Sequence, residues 1–61
     1  MLNVGDKVLV KDEEVIFEGE IRGVSAYEDT WYYIEPIIGY IKKAGGNSWY
    51  AEHKVSLIKD A

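Results

Sequence analysis

Along most of this chain apolar residues alternate with polar ones, in the two-residue rhythm of strands whose side chains point to opposite faces in turn. In "GDKVLVK" Val8 and Val10 fall on one side and Lys7, Leu9 and Lys11 on the other, after a turn at Gly5-Asp6. Leu9 is out of place in that scheme; it either meets a neighbouring element or stays outside as a tolerated exposed leucine. Asp12-Glu13-Glu14 form a polar corner. The alternation is cleanest in "VIFEGEIRGV", with Phe17, Gly19 and Ile21 on one side and Glu18, Glu20 and Arg22 on the other. Val24 is out of phase with Ile21. Gly19 and Gly23 lack side chains where a bent strand needs a bulge or a close backbone approach, so the pattern predicts a sheet that curls.

Further along, "AYEDT" reads as a connecting loop and "TWYYIE" as a third strand rich in aromatic and β-branched residues. Pro36 has no N–H to give to a ladder, so pairing is expected to break or reach a sheet edge there. "IIGYIKK" resumes extended structure, "AGGN" supplies a reversal, and "SWYA" returns as a strand. "EHK" is about one turn long. "VSLIK" closes the series, burying either Val55 and Leu57 or Ser56 and Ile58. These five or six short strands predict an all-β domain, a small and partly closed antiparallel barrel that removes most exposed sheet edges. The competing local reading is a short helix over Ser48 to Lys54, capped by Ser48 with Glu52 in its first turn.

Sixty-one residues make one domain, 1–61, with no room for a second core. The chain has no Cys, which removes disulfides and Cys-based metal sites and fits a reducing cytoplasm. A hydrophobic share of 48% must hold the fold alone or with help from another subunit, so a homo-oligomer stays open. Eleven acidic residues against seven basic ones give a net charge of −4, which opposes general attraction to nucleic acid without forbidding a local basic patch. Met1 to Val10 has no apolar core of signal-peptide length, and no stretch approaches the roughly 20 apolar residues of a bilayer span. A soluble, cytoplasmic protein with no membrane partner is expected.

Catalytic chemistry finds little support in the residues. His53 is the sole histidine and stands beside Glu52 and Lys54; without Cys it cannot build a usual zinc site, and an exposed turn accounts for it. Glu18 and Glu20 share a strand face at about 7 Å, a spacing open to paired-carboxylate chemistry, but nothing supplies a pocket to raise one of their pKa values. Asp12-Glu13-Glu14 lack the spaced oxygen ligands of a calcium loop. "AGGNS" lacks the Lys-Ser/Thr ending and the following helix of a phosphate loop. Ser25, Thr30, Ser48 and Ser56 have no predicted base. No enzyme, cofactor or metal is expected.

The aromatic residues carry more information. Tyr27, Trp31, Tyr32, Tyr33, Tyr40, Trp49 and Tyr50 are more than a core this small readily hides. Alternation sends Tyr32 and Ile34 to one face and Trp31, Tyr33 and Glu35 to the other. One set is expected outside, unless the folded-over sheet and the segment from Pro36 to Lys43 cover both faces. Exposed Trp and Tyr mark binding surfaces, since they offer contact area at low entropic cost.

The order "VGDKVLV", "FEGEIRGV", "WYYIE" and "WYAEHKVSLI" resembles that of Src-homology-3-type small barrels, above all the Tudor-like and KOW-like kinds of bacterial and phage proteins. The resemblance runs from Val4 to Ile58. It implies a one-turn 3-10 helix at Glu52 to Lys54, before the last strand, with His53 on an exposed turn. It also implies a protein-binding surface near the loops. Tyr27, Trp31 and Tyr33 match the binding aromatics by position, Glu28 and Asp29 add charge suited to a basic ligand, and Trp49 is a further candidate. A KOW-like barrel would instead use a basic face for RNA or DNA, here Lys42, Lys43, Lys54 and Lys59 with Trp49. The chain is also similar, in its "GDxV…GxIxG…Y" frame, to the plasmid-borne trimethoprim-resistant dihydrofolate reductases, which are tetrameric small barrels. Their Val-Gln-Ile-Tyr site segment corresponds to Asn47-Ser48-Trp49-Tyr50, which keeps only the Tyr, so that activity is not expected.

Overall fold

The computed structural model describes residues 1–13, 15–40 and 48–58, with the backbone alone for 38–40. Its elements in chain order are β1 (Lys7–Asp12), β2 (Val15–Ser25), β3 (Trp31–Tyr40), β4 (Ser48–Ala51), a 3-10 turn at Glu52–Lys54 and β5 (Val55–Leu57). All pairings are antiparallel, in the sheet order β4-β3-β2-β1-β5. The outer strands β4 and β5 are joined by the 3-10 turn, so the sheet folds over into a partly closed barrel. This arrangement fits the SH3-like small-barrel kind of fold.

The alternation seen in the sequence decides which side of each strand is inside. Val8 and Val10 of β1, Phe17 and Ile21 of β2, Tyr32 and Ile34 of β3 and Val55 of β5 form the buried core. Leu2, Val15, Val24 and Tyr50 pack against it. Phe17 and Tyr50 meet edge to face, with ring centroids 5.6 Å apart. The Tyr32 hydroxyl accepts a hydrogen bond from the Leu2 amide at 3.2 Å, which ties the N-terminal segment to the core. That segment is held further by Gly5 N–H donating to the Ile21 carbonyl at 2.8 Å and by Ile21 N–H donating to Asp6 at 3.0 Å. Gly5 has φ +98°, a conformation that side-chain-bearing residues rarely adopt. Leu9 lies half-buried on the outer face between Glu18 and Ser56, meeting its neighbours there.

Curvature comes from β2, as the glycines predict. Its register with β3 shifts between Glu18 and Gly19 and again between Ile21 and Gly23. The second shift leaves Arg22 without a partner and brings Val24 back to the core side, which resolves its phase. At Gly19 the backbone of β3 comes so close that a Cβ would stand 2.6 Å from Ile34 Cγ2 and 2.7 Å from the Glu35 carbonyl oxygen.

The pairing expected to break at Pro36 does slip there, while the strand itself runs on from Trp31 through Tyr40. Pro36 is tolerated because it stands opposite Gly19 at a register shift that leaves Ile37 unpaired with β2. In β5 neither predicted pair is buried as a pair: Val55 is buried, but Leu57 and Ser56 are exposed and Ile58 half-buried. The strand is only three residues long, and its inward side runs past the core after Val55. The helix considered over Ser48 to Lys54 is a strand followed by the 3-10 turn, as the barrel reading required. The reversal expected at "AGGN" lies outside the described residues.

Candidate functional site

The outer face of β3 and β4 carries a row of aromatic side chains. Trp31 and Tyr33 are outward on β3, and the register sets Tyr33 opposite Trp49 and Trp31 opposite Ala51. The Tyr33 and Trp49 rings are stacked at a tilt of 45°, with centroids 5.1 Å apart. Gly23 of β2 lies under this pair: a Cβ there would be 3.4 Å from Tyr33 Cβ and 3.8 Å from Trp49 Cη2. The missing side chain lets the indole lie across β3 toward β2. Trp31 has small neighbours on both sides, Ser25 and Ala51, and leaves 43% of its surface exposed; Trp49 leaves 46%. At the far end of the row Arg22 donates to Glu35 Oε1 at 2.7 Å and approaches Glu20 at 3.9 Å. Glu20 and Glu35 are direct cross-strand neighbours of like charge, and the guanidinium between them offsets their repulsion.

Trp31 also lines an open groove of about 480 Å³ between the loop before β3 and the 3-10 turn. Asp29 and Thr30 form one wall, and Ala51, Glu52, His53 and Lys54 the other. The Glu52 amide donates to the Thr30 carbonyl at 3.1 Å and fixes the base of the groove. The Lys54 ammonium is engaged at the rear, donating to Asp12 Oδ1 at 2.6 Å. That contact lowers the Asp12 pKa, helped by the Glu13 amide, and raises the Lys54 pKa. With Lys54 neutralised by Asp12, Asp29 and Glu52 set the charge of the groove.

Of the residues singled out in the sequence, the structure joins Trp31 with Asp29 in the groove and Tyr33 with Trp49 in the row beside it. Tyr27 stands at the tip of the loop, 92% exposed, and neither it nor Glu28 lines the groove. His53 is exposed on the 3-10 turn. Lys54 is tied to Asp12, while Lys42, Lys43 and Lys59 lie outside the described residues. Glu18 is exposed and Glu20 half-buried on the strand face. Among the described residues no three His, Asp or Glu side chains are grouped as a metal ion would require, and no helix is long and apolar enough to cross a membrane.

Glu52 and Thr30 were not among the site residues expected from the sequence. The signal available was the β3–β4 hairpin: antiparallel pairing sets the start of β3 beside the end of β4, and therefore beside the turn that follows. The chain matches no protein-family model, no curated protein and no solved structure.

Proposed function

We propose that this chain is a non-catalytic binding module that takes a basic segment of a partner protein on the Trp31 groove and the adjoining aromatic row. The observation that carries this reading is the double position of Trp31, which is a wall of the groove and the first ring of the row. An indole beside Asp29 and Glu52 suits an Arg or Lys side chain, which gains a cation–π contact and a charge-assisted hydrogen bond together. Tyr33 and Trp49 extend the contact with rings already held against each other, so little side-chain freedom is lost on binding. The net charge of −4 favours approach by a basic partner.

The likeness to Src-homology-3-type barrels supports the same reading, and with it the role of a small cytoplasmic accessory protein of bacterial or phage kind. The engagement of Lys54 by Asp12 weighs against the nucleic-acid reading, which needs free cations.

The test is a titration followed by tryptophan fluorescence, using Lys/Arg-rich and Asp/Glu-rich peptides of equal length and a single-stranded oligonucleotide. Only the basic peptides should change the emission, with affinity reduced tenfold or more by Trp31→Ala. Equal affinity in that variant would remove the groove from the account. Preference for the oligonucleotide, with a steep salt dependence, would favour the nucleic-acid reading.

A further inference from the structure

Strand β4 is the last strand on its side of the sheet, and no other described strand pairs with its outer edge. The ladder itself fixes which backbone groups stand on that edge. Hydrogen-bonded and non-hydrogen-bonded residue pairs alternate along an antiparallel pair. Glu52 N–H donates to the Thr30 carbonyl, and the register runs Trp31 to Ala51, Tyr32 to Tyr50, Tyr33 to Trp49 and Ile34 to Ser48. Ser48, Tyr50 and Glu52 therefore turn their amides toward β3, while Trp49 and Ala51 turn theirs off the edge. The Ala51 carbonyl also begins the 3-10 turn and keeps a second lone pair. Proteins ordinarily blunt such an edge with charge, proline or a bulge, and "SWYA" has none of these.

We propose that this edge pairs with the same edge of a second copy of the chain, antiparallel about a two-fold axis at Tyr50. Each Ala51 N–H then donates to the Trp49 carbonyl of the other copy, and each Trp49 N–H to the other Ala51 carbonyl. On the outer face every Trp49 lies beside an alanine, so the largest side chain of the strand meets its smallest at both ends. The register, rather than the overall charge, favours a second copy. Two copies of net charge −4 repel over most of their surfaces, but the edge strand is neutral. The two-fold sets Glu52 opposite Ser48 of the second copy rather than opposite another Glu52, so no like charges face each other. Pairing through the edge leaves the outer face open and joins two aromatic rows into one. It does not depend on that face being a binding site.

A four-residue edge is small beside the roughly 1,200 Å² buried by stable interfaces, so the dimer is reversible and depends on concentration. Sedimentation equilibrium on the full chain up to about 1 mM, a range in which weak association is populated, reads it directly. The discriminating variant is Ala51→Pro. Ala51 already has φ −67° and ψ 151°, which proline adopts without strain, and its N–H is not used by the pairing with β3. The variant should melt as the wild type does and stay monomeric across the range. In the wild type, amide exchange at Trp49 and Ala51 should slow as concentration rises, a readout that needs no variant. A wild type that is monomeric at the highest concentration overturns the proposal, as does an Ala51→Pro chain that dimerises equally well. Protection of these amides only on adding a foreign peptide would also overturn it, and would assign the edge to another partner.

Discussion

On strand β3 the inward residues Tyr32 and Ile34 are fully buried, whereas their neighbours Trp31 and Tyr33 face outward, Trp31 with 43% of its surface exposed. The two sets come from one aromatic run, and composition alone would assign all of it to the core. Position on the pleat separates them. The inward pair packs with Phe17, Ile21 and both valines of β1, and Tyr32 also meets the Leu2 amide. The outward pair meets one ring, Trp49, and otherwise solvent, small residues and the groove. Aromatic residues are thus used in two ways three ångströms apart along the chain: to hold the barrel on one side, and to present a surface on the other.

The comparison is broken most severely by truncation on the inward side. Ile34→Ala should cost about 2–5 kcal/mol, measured by urea denaturation, and a domain this small should then be largely unfolded. Gly19→Ala attacks the same side through the backbone. Its Cβ would press on Ile34 and on the Glu35 carbonyl, for a loss of about 1–3 kcal/mol in the same assay. Tyr32→Phe keeps the packing but leaves the Leu2 amide without its acceptor, for about 1 kcal/mol and faster exchange at that amide. On the outward side, Trp31→Ala should change stability by no more than about 1 kcal/mol while weakening the proposed basic-peptide binding tenfold or more. An Ile34→Ala loss no larger than that of Trp31→Ala would erase the distinction between the faces.

The smallest expected effect is a pH dependence centred on Asp12 and Lys54. Lys54 holds the Asp12 carboxyl below the usual carboxylate range, so its contribution is present above the unfolded-state pKa and is lost as pH falls through the lowered value. Asp12 holds the Lys54 ammonium above the usual lysine range, so that contribution is present below the unfolded-state pKa and is lost as pH rises through the raised value. Asp12→Asn should flatten both flanks of a melting temperature against pH curve. The pair is partly exposed, and the change should be a few degrees or less.

The fold was legible wherever the signal is local. Two-residue alternation identified the inward set on β1, β2 and β3, and Gly19 and Gly23 marked the places where the sheet bends. Pro36 marked the place where pairing slips, but not that the strand runs on through it, because the slip is a property of the β2–β3 pair, not of β3. The outward Trp31 and Tyr33 were legible from their phase. The groove was not, because it forms where Thr30 meets Glu52 across the hairpin. Nor was the Asp12–Lys54 contact, between groups 42 residues apart in the chain. Periodicity says which face a side chain takes; closing the barrel decides which residues meet there.

Both tryptophans of the chain lie on the outer face, which gives the central claim a direct optical test. Acrylamide quenching of the native emission should proceed at about half the efficiency found for the unfolded chain, in keeping with the half-exposed rings. Caesium should quench more strongly than iodide, because Asp29 and Glu52 stand beside Trp31. Blue-shifted emission that acrylamide barely touches would mean that the rings are sealed inside, and the outer face would then have no aromatic surface to offer.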